Sequence, residues 1–165
     1  MEKLILGLDP SLNNYGWAFI NIECDYKSSG VIKPGSKLNH FEKLVYIKDN
    51  LDILKKQYKP DFVSLEIPFY NKLNPKSFFI QGKISGISEI TFYDCNLELF
   101  SAMEIKSTLD IVKYKGGDTK KLIRDKVIAL FNLQNHKFKS YDESDAISIA
   151  YTYLKRRLSD EQFKL

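Results

Sequence analysis

The sequence predicts an α/β fold, and three observations carry that prediction. Five short apolar stretches, over residues 1–9, 15–24, 30–33, 62–66 and 96–100, have strand length and end at turn-forming residues. Longer segments between and after them repeat their apolar residues at helical spacing. The first stretch runs Leu4-Ile5-Leu6-Gly7-Leu8 without a polar side chain, which marks a strand covered on both faces inside a layered sheet.

Each element has a local reason. Asp9-Pro10-Ser11, with Asn13 and Asn14, supplies the turn after the first strand. The second and third strands follow directly, so the chain opens as a meander, and Pro34-Gly35-Ser36 breaks it. A helix is predicted over 39–58, with Asn39 as its N-cap and Phe41, Leu44, Val45, Ile47, Leu51 and Leu54 on its apolar positions. Lys59-Pro60-Asp61 stops it, and Pro68 closes the strand that follows. The helix predicted over 75–90 contains Gly82 and Gly86, which suit close approach to another element. After the fifth strand come a short helix over 103–110 and a mobile loop over 114–118 around Gly116-Gly117. A helix over 119–131 carries Leu122, Ile123, Val127, Leu130 and Phe131 on one face, with Lys120, Lys121 and Arg124 off it. The last helix is predicted over 142–158. No repeat or low-complexity segment interrupts the chain, and residues 1–165 read as one domain.

Composition excludes several classes of function. The chain is 44% hydrophobic and 28% charged, an ordinary globular balance. A domain of this size buries roughly two-thirds of its unfolded surface and needs no disulfide or metal staple. Its apolar runs fall far short of the roughly 20 residues of a membrane span. MEKLILGLDP reaches an acid too early for a secretory signal. Cys24 and Cys95 form no CxxC pair, which fits a reducing compartment, the cytoplasm. His40 and His136 match no zinc-site spacing. The net charge of +4 is a mild basic excess, compatible with a polyanionic partner. Its distribution says more: residues 68–83 hold Lys72, Lys76 and Lys83 with no acid, interleaved with Phe69, Tyr70, Phe78 and Phe79.

Four carboxylates stand out against this background. Asp9 and Glu66 each end an apolar strand, where α/β sheets commonly place ligands. By strand alternation Asp9 shares a face with Ile5 and Gly7, and Glu66 with Phe62 and Ser64. Singly, each also reads as the start of a polar turn. Asp142 and Asp145 lie three apart at the head of the last helix and extend its apolar stripe of Ala146, Ile149, Ala150 and Tyr153. Paired acids facing a core repel each other and lose hydration unless a cation neutralises them. Glu143 is placed on a more exposed face, where it fits simple complementation of the helix dipole. Brought together, four carboxylates without histidine or cysteine favour hard ions such as Mg²⁺ or Mn²⁺. Two such ions about 4 Å apart can serve an in-line displacement at phosphorus.

The order of these elements, with GLDPSLNNYGWAFI, SLEIPFY and DESDAISIA at the acids, resembles the RuvC family of Holliday junction resolvases. That resemblance covers nearly the whole chain. It implies a ribonuclease H-like fold: a central five-stranded mixed sheet flanked by helices on both faces. It further implies that Asp9, Glu66, Asp142 and Asp145 are catalytic and bind two Mg²⁺ or Mn²⁺ ions. The implied activity is cleavage of four-way DNA junctions by a homodimer, through paired symmetric nicks that leave 5′ phosphates, with no small-molecule cofactor. Phe69 matches an aromatic that stacks on bases near the junction centre. Lys106 in EIKSTL, and Lys120 or Lys121, resemble basic residues that contact the DNA backbone or flank the active site. QGKISGISEI resembles the helix of the dimer interface. DPSLNN stands where the bacterial family usually has DPGS and then Thr-Gly, which looks like the divergent branch found in phages of Gram-positive bacteria. For such a member the compartment is the host cytoplasm.

Blander readings stand beside these. Phe69 and Tyr70 also suit packing under a loop, although Lys72 and Lys76 nearby favour a nucleic-acid surface. Lys113, Lys115, Lys120, Lys121 and Arg124 form either a solvated face or a basic loop leading into a helix N-terminus suited to phosphate. Lys155, Arg156 and Arg157 read as complementing the last helix's dipole. Lys106 either stabilises charge developing at phosphorus, orients a water, or is a surface lysine. The alternatives in function are a broader nuclease for flaps, branches or RNA hybrids on the same fold, and a non-catalytic junction-binding protein. An actin-like phosphotransferase needs a second lobe and a second phosphate loop, which 165 residues do not provide.

Overall fold

A computed structural model describes residues 2–70, 72–111 and 118–158. The meander is β1 (Leu4–Asp9), β2 (Tyr15–Asn21) and β3 (Tyr26–Ile32). Then come α1 (His40–Tyr58), β4 (Phe62–Glu66), α2 (Pro75–Thr91) and β5 (Asn96–Phe100). Three helices complete the chain: α3 (Ala102–Thr108), α4 (Thr119–Phe131) and α5 (Tyr141–Tyr153). A π-helical turn, Leu154–Leu158, extends α5. The sheet order is β3-β2-β1-β4-β5, antiparallel within the meander and parallel from β1 to β4 and β5. The expected mixed five-stranded sheet is therefore present.

The predicted cap at Asn39 is present, and two further helices are also capped by side chains. Asn39 Oδ1 accepts from the Glu42 amide at 3.0 Å while the Glu42 carboxylate accepts from the Asn39 amide at 2.7 Å. Ser101 and Glu104 form the same reciprocal cap on α3, and Asp118 caps α4. Differences fall at the second hairpin. β2 stops at Asn21 because the Asn21 side chain accepts from the Asp25 amide at 2.7 Å and closes the turn. β3 begins four residues before the predicted start, since Tyr26, Ser28 and Ser29 pair with β2 as an edge strand despite the polarity of this stretch, with Lys27 skipped at a bulge.

Alternation along the strands divides the interior into two cores. Leu6, Leu8, Phe19, Val63 and Leu65 pack against Ile47, Leu51 and Leu54 of α1 and Ile84 of α2. Ile5, Ala18, Ile20 and Phe100 face α5, with Ile105 of α3 and Ile123 and Val127 of α4 around it. Helices thus cover both faces of the sheet. On the second face α5 lies almost on the strand backbones. A Cβ added at Gly7 would come within 2.1 Å of the Ala146 carbonyl, and one at Gly16 within 2.1 Å of the Asp142 carbonyl. Only hydrogen at these positions permits the contact. Gly82 and Gly86 differ from expectation, for a Cβ at either would meet nothing within 4 Å among the described residues. They lie on the face of α2 turned away from the sheet.

Candidate metal centre

The site is assembled where β1 and β4 end beneath the first turn of α5. The parallel register pairs Leu8 with Leu65, so Asp9 and Glu66 emerge side by side one residue later. Both point to the α5 face, as alternation requires: Ser64, two residues before Glu66, donates to the Ile149 carbonyl of α5 at 3.1 Å. Close seating of α5 on Gly16 brings its acids down onto Asp9. One oxygen each from Asp9, Asp142 and Asp145 lies within 4.8 Å of the others. Glu66 stands outside that triangle but lines the same cleft, of about 300 Å³, with Asp9, Asp145, Lys106 and Lys120. Three of the four predicted acids therefore converge, and the fourth flanks them.

Their electrostatics are those of a site built for positive charge. Burial pushes the Asp9 carboxyl well above its usual range, and the charges of Asp145, Glu66 and Asp142 push it further. Burial raises Asp145 to about 6 even though Lys120 opposes the shift. Glu66 is raised by burial and by Asp145, against the pull of Lys106 and Lys120. Asp145 is only 9% exposed, and its buried Oδ1 has no hydrogen-bond partner. An orphaned carboxylate oxygen inside a cluster of oxygen donors fits a hard divalent ion. Lys120 meets part of this demand: its Nζ lies 3.4 Å from Asp145 Oδ2 and 3.7 Å from Asp142 Oδ1. Burial disfavours the Lys120 charge, but Asp145, Asp142 and Asp9 together outweigh it and raise its pKa. Asp118, capping α4 through the Lys120 and Lys121 amides at 3.1 and 3.3 Å, fixes the helix start that delivers this lysine.

A pH signature follows. Asp145 titrates near 6 in the folded protein against 3.8 ordinarily, so between those values the folded state holds more protons than the unfolded one. The contribution of this site to stability therefore falls as pH rises through that window. In chelator, the wild type should lose melting temperature relative to Asp145→Asn as pH goes from about 4 to about 7. Thermal unfolding of both proteins across that range checks it, and parallel curves would refute the raised carboxylate.

The remaining candidates distribute around the cleft. Lys106, on α3, lines it without an ion pair among the described residues, and its charge draws on Glu66 and Asp145. α3 is held by Arg156, whose Nε donates to Thr108 Oγ1 at 2.8 Å and Nη2 to the Glu104 carbonyl at 3.2 Å. That contact corrects the dipole reading of Arg156: the π turn carries its guanidinium to a neighbouring helix. Phe69 projects at the cleft rim, 75% exposed, whereas Tyr70 packs edge-on against Phe78 at 5.4 Å. Lys72, Lys76 and Lys121 are exposed, and the Arg124 guanidinium sits 4.7 Å above the Tyr141 ring. Lys115 and the glycine pair of the predicted loop lie outside the described residues.

Glu143 is a correction. It is 1% exposed, not turned to solvent, because α5 is enclosed by the sheet, α4 and the segment before it. Its carboxylate accepts from Ser29 Oγ at 2.7 Å and the Lys139 amide at 2.8 Å, with His136 Nε2 at 3.1 Å. It ties β3 and the α4–α5 segment to the turn that bears Asp142. The polar Ser28-Ser29 pair inside β3 was the available signal.

Comparison with known proteins identifies the family and the fold. The family described as crossover junction endodeoxyribonuclease RuvC matches residues 5–153. Curated relatives of that name include one from Rickettsia bellii (strain OSU 85-389), 31% identical over 92% of this chain and 96% of its own length. Another, from Rickettsia africae (strain ESF-5), is 29% identical over the same shares. Among solved structures, Thermus thermophilus RuvC in complex with Holliday junction substrate superposes with a TM-score of 0.78 at 17% identity, covering 94% of this chain and 96% of that one. The yeast mitochondrial Holliday junction resolvase Ydc2 superposes at 0.60 and 15% identity, covering 97% and 82%.

Proposed function

The chain belongs to the RuvC family of crossover junction endodeoxyribonucleases, with its ribonuclease H-like fold, and from that premise we propose that it cuts four-way DNA junctions by paired symmetric nicks. Convergence of Asp9, Asp142 and Asp145, with the buried Asp145 oxygen left unpaired, is the observation that carries this reading. The family depends on a divalent metal, and the all-oxygen donor set favours Mg²⁺ or Mn²⁺. Such an ion supplies charge neutralisation at phosphorus and a more acidic attacking water.

The chain's own residues do the rest. Asp9, Asp142 and Asp145 hold one ion, and Asp9 with Glu66 lines a second, smaller cleft that suits another. Water made more acidic by such an ion would be the nucleophile, so no side chain is needed in that role. Lys106 and Lys120 receive the charge of the scissile phosphate from α3 and α4, and the acids that hold Lys120 keep it protonated. Phe69 at the rim stacks on an unpaired base at the branch point. Lys72, Lys76, Lys121 and Arg124 contact backbone phosphates away from the cut, and Lys115 is a further candidate DNA contact. Two cuts need two centres, hence a homodimer. In support, Gly82 and Gly86 leave the outer face of α2 open, with Phe79 63% and Ile90 69% exposed on the same helix. Residues 1–165 act as one nuclease domain, since both cores are built on the same sheet. Among the described residues no helix is long and apolar enough to cross a membrane, and action on DNA is consistent with a cytoplasmic protein.

Cleavage of end-labelled DNAs tests the proposal: a mobile four-way junction, a three-way branch, a flap and a plain duplex, each with Mg²⁺, Mn²⁺ or chelator. Symmetric nicks confined to the four-way junction and to the metal-containing reactions are expected. Equal cutting of every branched form would make the protein a general debranching nuclease, and no metal-dependent cutting would overturn the reading.

A further inference from the structure

Helix α2 borders Asp9 and Glu66 from the side opposite α5. Ser85 is 4% exposed, and its Oγ has no hydrogen-bond partner. Its neighbours on the same helix behave differently. Ser88 Oγ donates back to the Ile84 carbonyl at 2.9 Å and meets Tyr15 Oη at 2.6 Å, and Thr91 Oγ1 donates to the Ile87 carbonyl at 2.8 Å. Back-bonding of this kind is the ordinary way a buried helical hydroxyl is satisfied. Ser85 forgoes it and instead lines a cleft of about 100 Å³ of mixed character, with Asp9, Glu66 and Gln81 as its other polar residues and Phe69 beside them. A buried hydroxyl left unpaired beside two carboxylates marks a place where something else binds.

We propose that Ser85, with Gln81 one turn earlier, forms the α2 wall of the cation site and holds the coordination water of a divalent ion seated on Asp9 and Glu66. The cleft has room for a few waters. Mg²⁺ and Mn²⁺ bound by one or two carboxylates retain several waters, each a strong donor that needs an acceptor. A serine hydroxyl accepts one such bond and still has a proton to give, and the glutamine amide offers both functions. Ser85 and Gln81 are in this sense positioning residues: they orient the ion's water shell, while the carboxylates bind the ion.

This inference rests on the metal centre proposed above, and the test separates the two. Mn²⁺ is titrated calorimetrically into the full chain without DNA, for the wild type, Ser85→Ala, Ser88→Ala and Asp9→Asn, and melting temperatures are taken in chelator. Ser85→Ala should weaken Mn²⁺ binding about tenfold, the size usual for a group that orients ligands. Its metal-free melting temperature should stay the same or rise, because an unsatisfied hydroxyl has been removed. Ser88→Ala should do the reverse, melting lower while binding Mn²⁺ as the wild type does. Wild-type affinity in Ser85→Ala, or a metal-free loss of stability like that of Ser88→Ala, overturns the inference while leaving the centre intact. Undiminished binding by Asp9→Asn would instead overturn the centre itself.

Discussion

Asp145→Asn is expected to lose junction cleavage by at least about a thousandfold, while the metal-free protein melts a few degrees higher than the wild type. Loss of activity on this scale is that of a charge ligand removed from a centre that stabilises charge at phosphorus. The stability gain has a separate origin. At neutral pH the wild type holds Asp145 ionised although burial raises its carboxyl to about 6, a shift of about two units that is roughly 3 kcal/mol of unfavourable free energy. Asparagine keeps the shape and removes the charge. Lys120 loses one partner at 3.4 Å but keeps Asp142 at 3.7 Å, so the net change remains stabilising. Junction binding in chelator should be retained or strengthened, since removing an anion does not weaken contacts to phosphate. Junction affinity falling in step with cleavage, or a lower melting temperature, would show that Asp145 is a structural residue.

Gly16→Ala is the second large effect and acts on both stability and the site. Its Cβ would lie 2.1 Å from the Asp142 carbonyl oxygen and 2.6 Å from the carbonyl carbon, both backbone atoms that no rotamer change can move aside. α5 must lift from β2 at the turn that carries Asp142. Overpacking of this kind costs about 3 kcal/mol, or roughly 6–12 °C in melting temperature for a chain of this length. Divalent-ion binding should weaken as well, because the oxygens of Asp142 and Asp9 no longer share the 4.8 Å triangle. Gly86→Ala, on the open face of α2, is the comparison: it should leave the monomer's packing untouched and stabilise the helix slightly. Equal melting temperatures for Gly16→Ala and the wild type would mean that α5 does not rest on the strand as described.

Most of the fold was legible before the structure because its signals are local. The cap at Asn39 needs only Glu42 three residues on, and the apolar run from Leu4 to Leu8 reports burial on both faces without any partner being known. Alternation put Asp9 and Glu66 on one face, since side chains on a strand have no other choice. The first half of β3 is not legible because pairing with β2, rather than its own composition, makes Tyr26, Ser28 and Ser29 a strand.

In the site, residue chemistry was readable and mutual position was not. Acids at strand ends and at the head of an apolar helix stand against the hydrophobic pattern, and a single chain displays that conflict. Which of them meet depends on how far α5 sinks onto the sheet, and this is set by Gly7 and Gly16, residues distant in sequence from Asp142 and Asp145. The same approach buried Glu143, which its position in the helix pattern turned outward, because α5 is packed on more sides than its stripe suggests. It also separated the lysines, placing Lys120 and not Lys106 against the carboxylates. Element type, the identity of the acids and the class of ion are thus properties of the chain order, governed by short-range sterics and side-chain chemistry. The metal triangle, the lysine that answers it and the unpaired hydroxyl on α2 exist only when two cores close on one sheet, because each depends on distances between elements that no local pattern encodes.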